Sequence, residues 1–265
     1  MKFVSFNVNS IRLRLHQLEA IIAKHDPEII GLQETKCQDH DFPLEAIESM
    51  GYHAEFFGQK THYGVAMLSK TKPDTVTKGF DSDDDDAQKR LIGGQFGDIH
   101  VLNGYFPQGE ARDHAVKFPA KRAYYADLLS HLNTHLHPAQ DVIVMGDMNV
   151  APTDLDIGIG EANAKRWKQT GKTSFLPEER EWWNALCDWG LEDSFRATYP
   201  QEAELFSWFD YRSKGFEAEP KRGLRIDQIL LSESLSARVV DAGIDYDIRG
   251  MEKPSDHCPI WVEIE

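Results

Sequence analysis

The sequence predicts a mixed α/β fold, and three features carry that prediction. Val142-Ile143-Val144-Met145 is an unbroken apolar run of strand length, as expected for a strand covered on both faces. Segments with helical spacing, such as Leu15, Leu18, Ile21 and Ile22, lie between runs of this kind. In two late stretches, residues 225–231 and 255–262, polar residues precede the apolar run instead of following it. If all polar ends meet at one edge, these two strands run against the earlier ones, and the sheets are mixed.

Taken in order, residues 1–10 alternate. Phe3, Ser5, Asn7 and Asn9 face one side, and Val4, Phe6 and Val8 face the other. A helical pattern follows and closes at Pro27, and Ile29-Ile30-Gly31-Leu32 reads as a short buried strand with Gln33 and Glu34 beyond it. A right-handed strand–helix–strand unit brings Asn7 and Glu34 to the same sheet edge. Residues 52–105 hold short β-rich pieces between glycine and aspartate clusters, which suggests antiparallel strands. One cluster, residues 81–86, places five aspartates in six positions and reads as a solvated loop. Tyr124, Leu128, Leu132 and Leu136 form one stripe, which predicts a helix over residues 118–137. That helix carries His131 and His135 four residues apart. With no third ligand or catalytic glutamate nearby, the pair reads as part of a solvated face. A long polar connection, residues 151–173, leads to a helix over 178–189 closed by Gly190. No linker-like segment interrupts the chain, so residues 1–265 are read as one domain.

A chain of 265 residues buries roughly three quarters of its unfolded surface, enough for an enzyme-sized core. The N-terminus enters a strand pattern at once, and no apolar run approaches the ~20 residues that span a bilayer. The expectation is therefore a cytoplasmic, unanchored protein, monomeric because no apolar surface stripe stands out. Cys37, Cys187 and Cys258 are widely spaced and odd in number, which fits packing residues in a reducing compartment. The net charge of −15 opposes nucleic-acid binding in bulk. Screening over a Debye length of about 8 Å leaves room for a local basic face.

Asp147 and Asn149 follow the central apolar run two residues apart, so in extended chain they point the same way. A carboxylate and an amide so placed hold and deprotonate one water, although an Asx turn has the same pattern. The remaining polar strand ends are oxygen-rich: Asn7, Glu34, Asp227 and Asp256, with the single histidine His257. Hard oxygen donors suit Mg²⁺ or Mn²⁺ rather than zinc. Glu34 is the best direct ligand, and Asp147 the natural base. Asp227 is a partner for His257, fixing its tautomer and favouring the imidazolium that binds a phosphate oxygen, although an isolated Asp-His pair equally fits a satisfied turn. No nucleophile elbow, phosphate-binding glycine loop or dinucleotide fingerprint is present.

Asn7, Gln33-Glu34-Thr35-Lys36, Asn103-Gly104-Tyr105, Gly146-Asp147-Met148-Asn149, Arg225-Ile226-Asp227 and Ser255-Asp256-His257 stand in the order of the endonuclease/exonuclease/phosphatase superfamily. Over its whole length the sequence resembles the exonuclease III type of bacterial AP endonucleases within it. The resemblance implies a four-layered α/β sandwich, two packed mixed sheets flanked by helices. It also implies Mg²⁺-dependent hydrolysis of duplex DNA, with Mn²⁺ substituting: incision 5′ to abasic sites, 3′-to-5′ exonuclease and 3′-phosphatase action on blocked ends. Carried over residue by residue, Asn7, Glu34 and Asp256 attend the metal, and Asp147, held by Asn149, activates water. His257 with Asp227, and Tyr105, contact the phosphate. Trp208, Phe209 and Leu224 line the slot for an extrahelical abasic sugar, and Gln108 reaches into a groove. Arg212, together with Arg112, Lys121, Arg122, Lys214, Arg222 and Arg225, supplies a phosphate-contacting face. A phosphoesterase for lipids or small molecules, and a catalytically silent DNA-binding protein, are the competing readings. Ser10 departs from the pattern, since relatives usually carry glycine there, and the loop before Ile99 looks shorter than in close relatives.

Overall fold

The computed structural model describes residues 1–265. Twelve strands form two six-stranded sheets. The first runs in the order β11 (Val239–Ile244), β12 (Ile260–Ile264), β1 (Lys2–Asn7), β2 (Ile29–Gln33), β4 (Val65–Ser69), β3 (His53–Phe57). The second runs β5 (Thr75–Lys78), β6 (Leu91–Phe96), β7 (Ile99–Tyr105), β8 (Asp141–Asp147), β10 (Asp227–Ser232), β9 (Leu191–Asp193). Eight helices connect them: α1 (Leu15–His25), α2 (Leu44–Ser49), α3 (Lys117–His135), α4 (Glu161–Thr170), α5 (Pro177–Trp189), α6 (Ser194–Thr198), α7 (Glu233–Ser236) and α8 (Tyr246–Arg249).

Side-chain alternation builds four layers. In β1, Phe3 faces the other sheet while Val4 and Phe6 face outward to Leu18 and Ile21 of α1 and Ile47 of α2. In β8, Ile143 and Met145 pack between the sheets, whereas Val142 and Val144 meet Leu128 of α3 and Leu186 of α5. A large side chain fully buried in this way contributes roughly 1.5–3 kcal/mol. Both sheets are mixed, as expected: β1 and β2 are parallel, as are β7 and β8, while β12 and β10 run antiparallel to β1 and β8. All the polar strand ends therefore converge on one rim.

Two close approaches fix how the sheets meet there. Gly31 leaves room for Asn103, which crosses from the second sheet to donate to the carbonyls of Leu32 and Ala66 at 3.0 Å each. Gly146, at φ 149°, lies so near β7 that a Cβ would stand 1.9 Å from the Gly104 carbonyl oxygen. A side chain at Gly146 would push β7 and β8 apart, and one at Gly31 would displace the Asn103 and Met145 side chains.

The polar connection after β8 contains a helix that the sequence does not signal. None of the α4 residues is buried, so no apolar stripe marks it. Residues 206–212 form no strand either; Trp208 makes single bridges to Leu224 and His257, tying three loops together. The three cysteines are free, and Asp81–Asp86 are exposed. No helix is long and apolar enough to cross a membrane.

Candidate active site

The rim gathers the end of β1 (Asn7), the residue after β2 (Glu34), the ends of β7 and β8 (Tyr105, Asp147), the start of β10 (Asp227) and the turn before β12 (Asp256, His257). Register does much of this: Asp147 stands opposite both Tyr105 and Asp227. The Asn7 amide nitrogen donates to Glu34 Oε1 and to Asp147 Oδ2, each at 2.9 Å, and so stitches the two sheets together. The backbone N–H of Asn149 donates to Asp147 Oδ1 at 3.1 Å. His257 Nδ1 lies 2.9 Å from Asp227 Oδ2, and its Nε2 lies 3.8 Å from Asp147 Oδ2. Ser207 steadies Asp227, donating from Oγ to Oδ2 at 2.6 Å while accepting the Asp227 backbone N–H at 3.0 Å.

Little water reaches these charges, so their proton affinities move. Burial alone would push the His257 imidazolium pKa down; Asp227 and Asp147 overcome that and raise it to about 10. Burial raises Asp147 to about 8, helped by Asp227 and Glu34 and opposed by His257. Burial disfavours the Glu34 charge too, but the Lys36 ammonium 2.8 Å from Oε2 outweighs it and holds that carboxyl below its usual range. Burial, then the Glu34 charge, push the Tyr105 hydroxyl well up, so it is a neutral donor. One ligand atom each from Glu34, Asp147 and His257 lies within 4.8 Å of the others. The ionised Glu34 and the buried, crowded Asp147 are a hard-oxygen donor set that a divalent cation fits. Protonated His257 does not fit as a ligand.

Beside this cluster lies a cavity of about 200 Å³ whose apolar wall is Trp167, Trp208, Leu224 and Ile226. The Trp208 indole N–H donates to Asp256 Oδ2 at 3.1 Å, and Asn9 donates to Oδ1 of the same carboxylate at 2.8 Å. Next to it, a cleft of about 410 Å³ is edged by Arg166, Lys172, Arg212 and Arg222, with Gln108 between the two.

The endonuclease/exonuclease/phosphatase family model matches residues 4–257, nearly the whole chain. The chain belongs to that family. It is 57% identical to the exodeoxyribonuclease III of Haemophilus influenzae over 100% of both chains. Among solved structures it resembles a Neisseria 3′ phosphatase bound to a product DNA hairpin, with a TM-score of 0.91 and 36% identity over 100% of this chain and 99% of that one. It also resembles an AP endonuclease from Archaeoglobus fulgidus, with a TM-score of 0.92 and 34% identity over 100% and 99%.

The structure brings Asn7, Glu34, Tyr105, Asp147, Asp227, Asp256 and His257 together at the rim and arranges several other expected residues differently. Asn149 reaches Asp147 through its backbone only, because its side chain donates to the Phe106 carbonyl at 2.9 Å. Asn7 gives its amide nitrogen to the carboxylates of Glu34 and Asp147, and its oxygen accepts from the Asn9 backbone. Both oxygens of Asp256 are engaged by Asn9 and Trp208. Phe209 does not line the slot. It points to the opposite side from Trp208 and packs fully buried against Phe206 and Cys258. Arg225 and Lys121 are buried in ion pairs with Asp156, Asp193 and Glu179, which removes them from any phosphate-contacting face. Trp167, Ser207 and Lys36 join the site without being expected from the sequence. A tryptophan inside a ten-residue polar segment was the one signal for the first, and neither of the others carries one.

Proposed function

We propose that this chain is a DNA-repair nuclease that hydrolyses phosphodiesters of duplex DNA, incising 5′ to abasic sites and trimming or dephosphorylating 3′ ends. It works as one catalytic domain, monomeric, with Mg²⁺ or Mn²⁺. The observation that carries this reading is the adjacency of two unlike features: a crowded acid–imidazolium cluster and an apolar slot opening beside it. The cluster and the apolar wall line one cavity of about 200 Å³, smaller than the roughly 300–1,000 Å³ of pockets for drug-sized ligands. It suits a bare sugar and excludes one that still carries its base, and a missing base lowers the cost of turning the sugar out of the helix.

The chemistry follows from the contacts. Water attacks phosphorus and the bond to O3′ breaks, leaving a 3′-hydroxyl on one strand end and a 5′-phosphate on the other. Asp147, fixed on one oxygen by Asn7 and on the other by the Asn149 backbone, orients the water and takes its proton. The His257 imidazolium, held by Asp227, and the neutral Tyr105 hydroxyl donate to the phosphate oxygens as their charge grows. The departing 3′ oxygen ends protonated as the hydroxyl. Glu34 is the residue that would hold a divalent cation, which supplies positive charge to the phosphoryl oxygens and to the leaving oxygen. Trp208 and Trp167 seat the sugar, and Arg166, Arg212 and Arg222 take flanking phosphates, with Gln108 at the groove.

A labelled duplex with one tetrahydrofuran abasic analogue tests this, with Mg²⁺ or EDTA and with the parent or Asp147→Asn. Incision 5′ to the analogue that requires both Mg²⁺ and Asp147 is expected. Equal incision by Asp147→Asn overturns the water-activation role, and activity on no DNA substrate overturns the substrate class.

A further inference from the structure

Arg90 lies where the loop after β3 meets the start of β6 and the end of β7, and the reaction described above gives it no part. It directly precedes β6 and is 9% exposed. Its guanidinium is held between two tyrosine rings, the central carbon 4.3 Å from the ring centre of Tyr63 and 4.5 Å from that of Tyr105. Nη1 donates to the Tyr105 carbonyl at 2.9 Å, and Nε donates to Gln88 Oε1 at 2.7 Å. The Arg90 carbonyl accepts from the Tyr105 backbone N–H at 2.7 Å and from the Tyr124 hydroxyl at 3.1 Å. The outer ring has a fixed base as well. The Tyr63 carbonyl accepts from the Lys36 N–H at 3.0 Å and the Gly64 carbonyl from the Thr35 N–H at 3.1 Å, which ties that loop to the two residues after Glu34.

We propose that Arg90 is a positioning residue for Tyr105: clamped between Tyr63 and Tyr105, it holds the phenol at the angle from which its hydroxyl meets the phosphate. The inference rests on the phosphate-donor role proposed above for Tyr105. Tyr105 is the last residue of β7, so the sheet ladder fixes its backbone but not its ring, whose second torsion is broad. A planar guanidinium laid on the ring face removes that freedom, and a Lys ammonium has no flat face with which to replace it. The attraction between cation and ring is strongest where water is scarce, as it is around this nearly buried arginine. The charge also acts on the hydroxyl itself, opposing the rise in proton affinity that burial and Glu34 impose. A hydroxyl polarised in this way is a better donor to a phosphate oxygen. Arg90 is poorly placed to contact DNA directly, because rings cover both of its faces and Gln88 and the Tyr105 carbonyl take up Nε and Nη1.

The test is single-turnover incision of the tetrahydrofuran-bearing duplex with Mg²⁺, read as the limiting rate and the half-saturating enzyme concentration, each corrected for the folded fraction. Arg90→Met should lower the limiting rate about 10–10²-fold, the scale of a displaced reacting group. Half-saturation and its salt dependence should stay within about twofold of the parent. Arg90→Lys should recover part of the rate by restoring the charge without the planar face. Tyr105→Phe should also slow incision, and adding Arg90→Met to it should cost no more than about twofold further, because the clamp then has no hydroxyl to aim. A general loss of packing would multiply the two losses instead. Tyr63→Leu, at a half-buried position, removes only the outer ring and should repeat the pattern at smaller size, so the test stands even if Arg90→Met folds poorly. Multiplying losses in the double variant overturn the proposal. So does a higher half-saturating concentration with flatter salt dependence at an unchanged rate, the mark of a direct phosphate contact. A parent that cleaves no DNA overturns the reading beneath the proposal, whereas an active parent with multiplying losses overturns the proposal alone.

Discussion

Arg225 and His257 are both buried cations flanked by aspartates, and they sit within one region of the fold. Around Arg225 every charge is answered: Nε meets Asp156 at 2.7 Å, Nη2 meets Asp193 at 2.6 Å, and Arg196 closes on Asp156 at 2.5 Å. Two guanidinium groups face two carboxylates, and no functional cavity depends on them. Around His257 the account stays open. Glu34, Asp147, Asp227 and Asp256 line the rim against two cations, His257 and Lys36, and the cluster faces a cavity. A closed cluster keeps its pairs ionised and locks loops in place. An open one leaves Asp147 with a raised proton affinity and room for a cation and a phosphate.

The sharpest way to break this comparison is to neutralise one member of each cluster. Asp147→Asn should lower incision of abasic duplex by about 10²–10⁴-fold, the usual worth of a positioned base. Its melting temperature should hold or rise, because a crowded buried carboxylate is lost. Arg225→Met should do the reverse. Leaving Asp156 and Asp193 buried without their partner should cost about 3–5 kcal/mol of stability, read by urea denaturation, with activity per folded molecule retained. If both variants lost stability alike, the distinction between open and closed clusters would fail.

The open cluster was largely legible in the sequence, and the closed one was not. Asn7, Glu34 and Asp147 announce themselves because each ends an apolar run whose length and alternation fix where the strand stops. The Asp227–His257 pairing was readable because Asp227 begins one strand and His257 stands just before another, and both strands had to run the other way. Arg225 and Lys121 look like free cations in the sequence because nothing local shows that Asp156, Asp193 and Glu179, all distant in sequence, take up their charges. The burial of Phe209 is hidden in the sequence for a related reason. Residues 206–212 make only isolated bridges, so the alternation that would have turned it away from Trp208 had no strand to rest on. Trp167 sits on a helix without a buried face, where periodicity has nothing to report.

The apolar wall gives a finer comparison within the open site. Trp208→Ala removes a pocket contact of ~1–3 kcal/mol, so abasic incision should fall about tenfold or more while release of phosphate from a 3′-phosphate end falls less. An equal loss on both substrates would assign Trp208 to holding Asp256 rather than to seating the sugar. A separate closed group joins Asp245 to His25 at 2.8 Å and Lys24 at 3.0 Å; burial would raise Asp245, but His25 and Lys24 reverse that and bring it down to about 2. A depressed carboxyl stabilises the fold above its unfolded pKa, and that contribution drains away as pH falls from near 4 through about 2. Asp245→Asn should therefore be less stable than the parent at pH 6, and the gap should narrow towards pH 2 in denaturant titrations.

The smallest expected effect comes from Ser10, at the foot of the open cluster. Its φ of 85° lies in the region that favours glycine, directly after Asn9 at φ 42°. A side chain there costs about 1–2 kcal/mol that glycine does not incur, offset in part by the greater freedom of glycine in the unfolded chain. Ser10→Gly should gain about 1 kcal/mol or less, a rise of a few degrees at most in melting temperature. Asn9 bonds Asp256 and accepts from Lys36 at 2.6 Å, so this turn also sets one edge of the rim. Activity on abasic duplex should hold within about twofold if the rim geometry shown here is the working one, since no contact to the cluster passes through the Ser10 side chain. A large gain in activity with little gain in stability would mean that the strained turn holds Asn9 away from its working position. The strain would then bear on catalysis rather than on the fold.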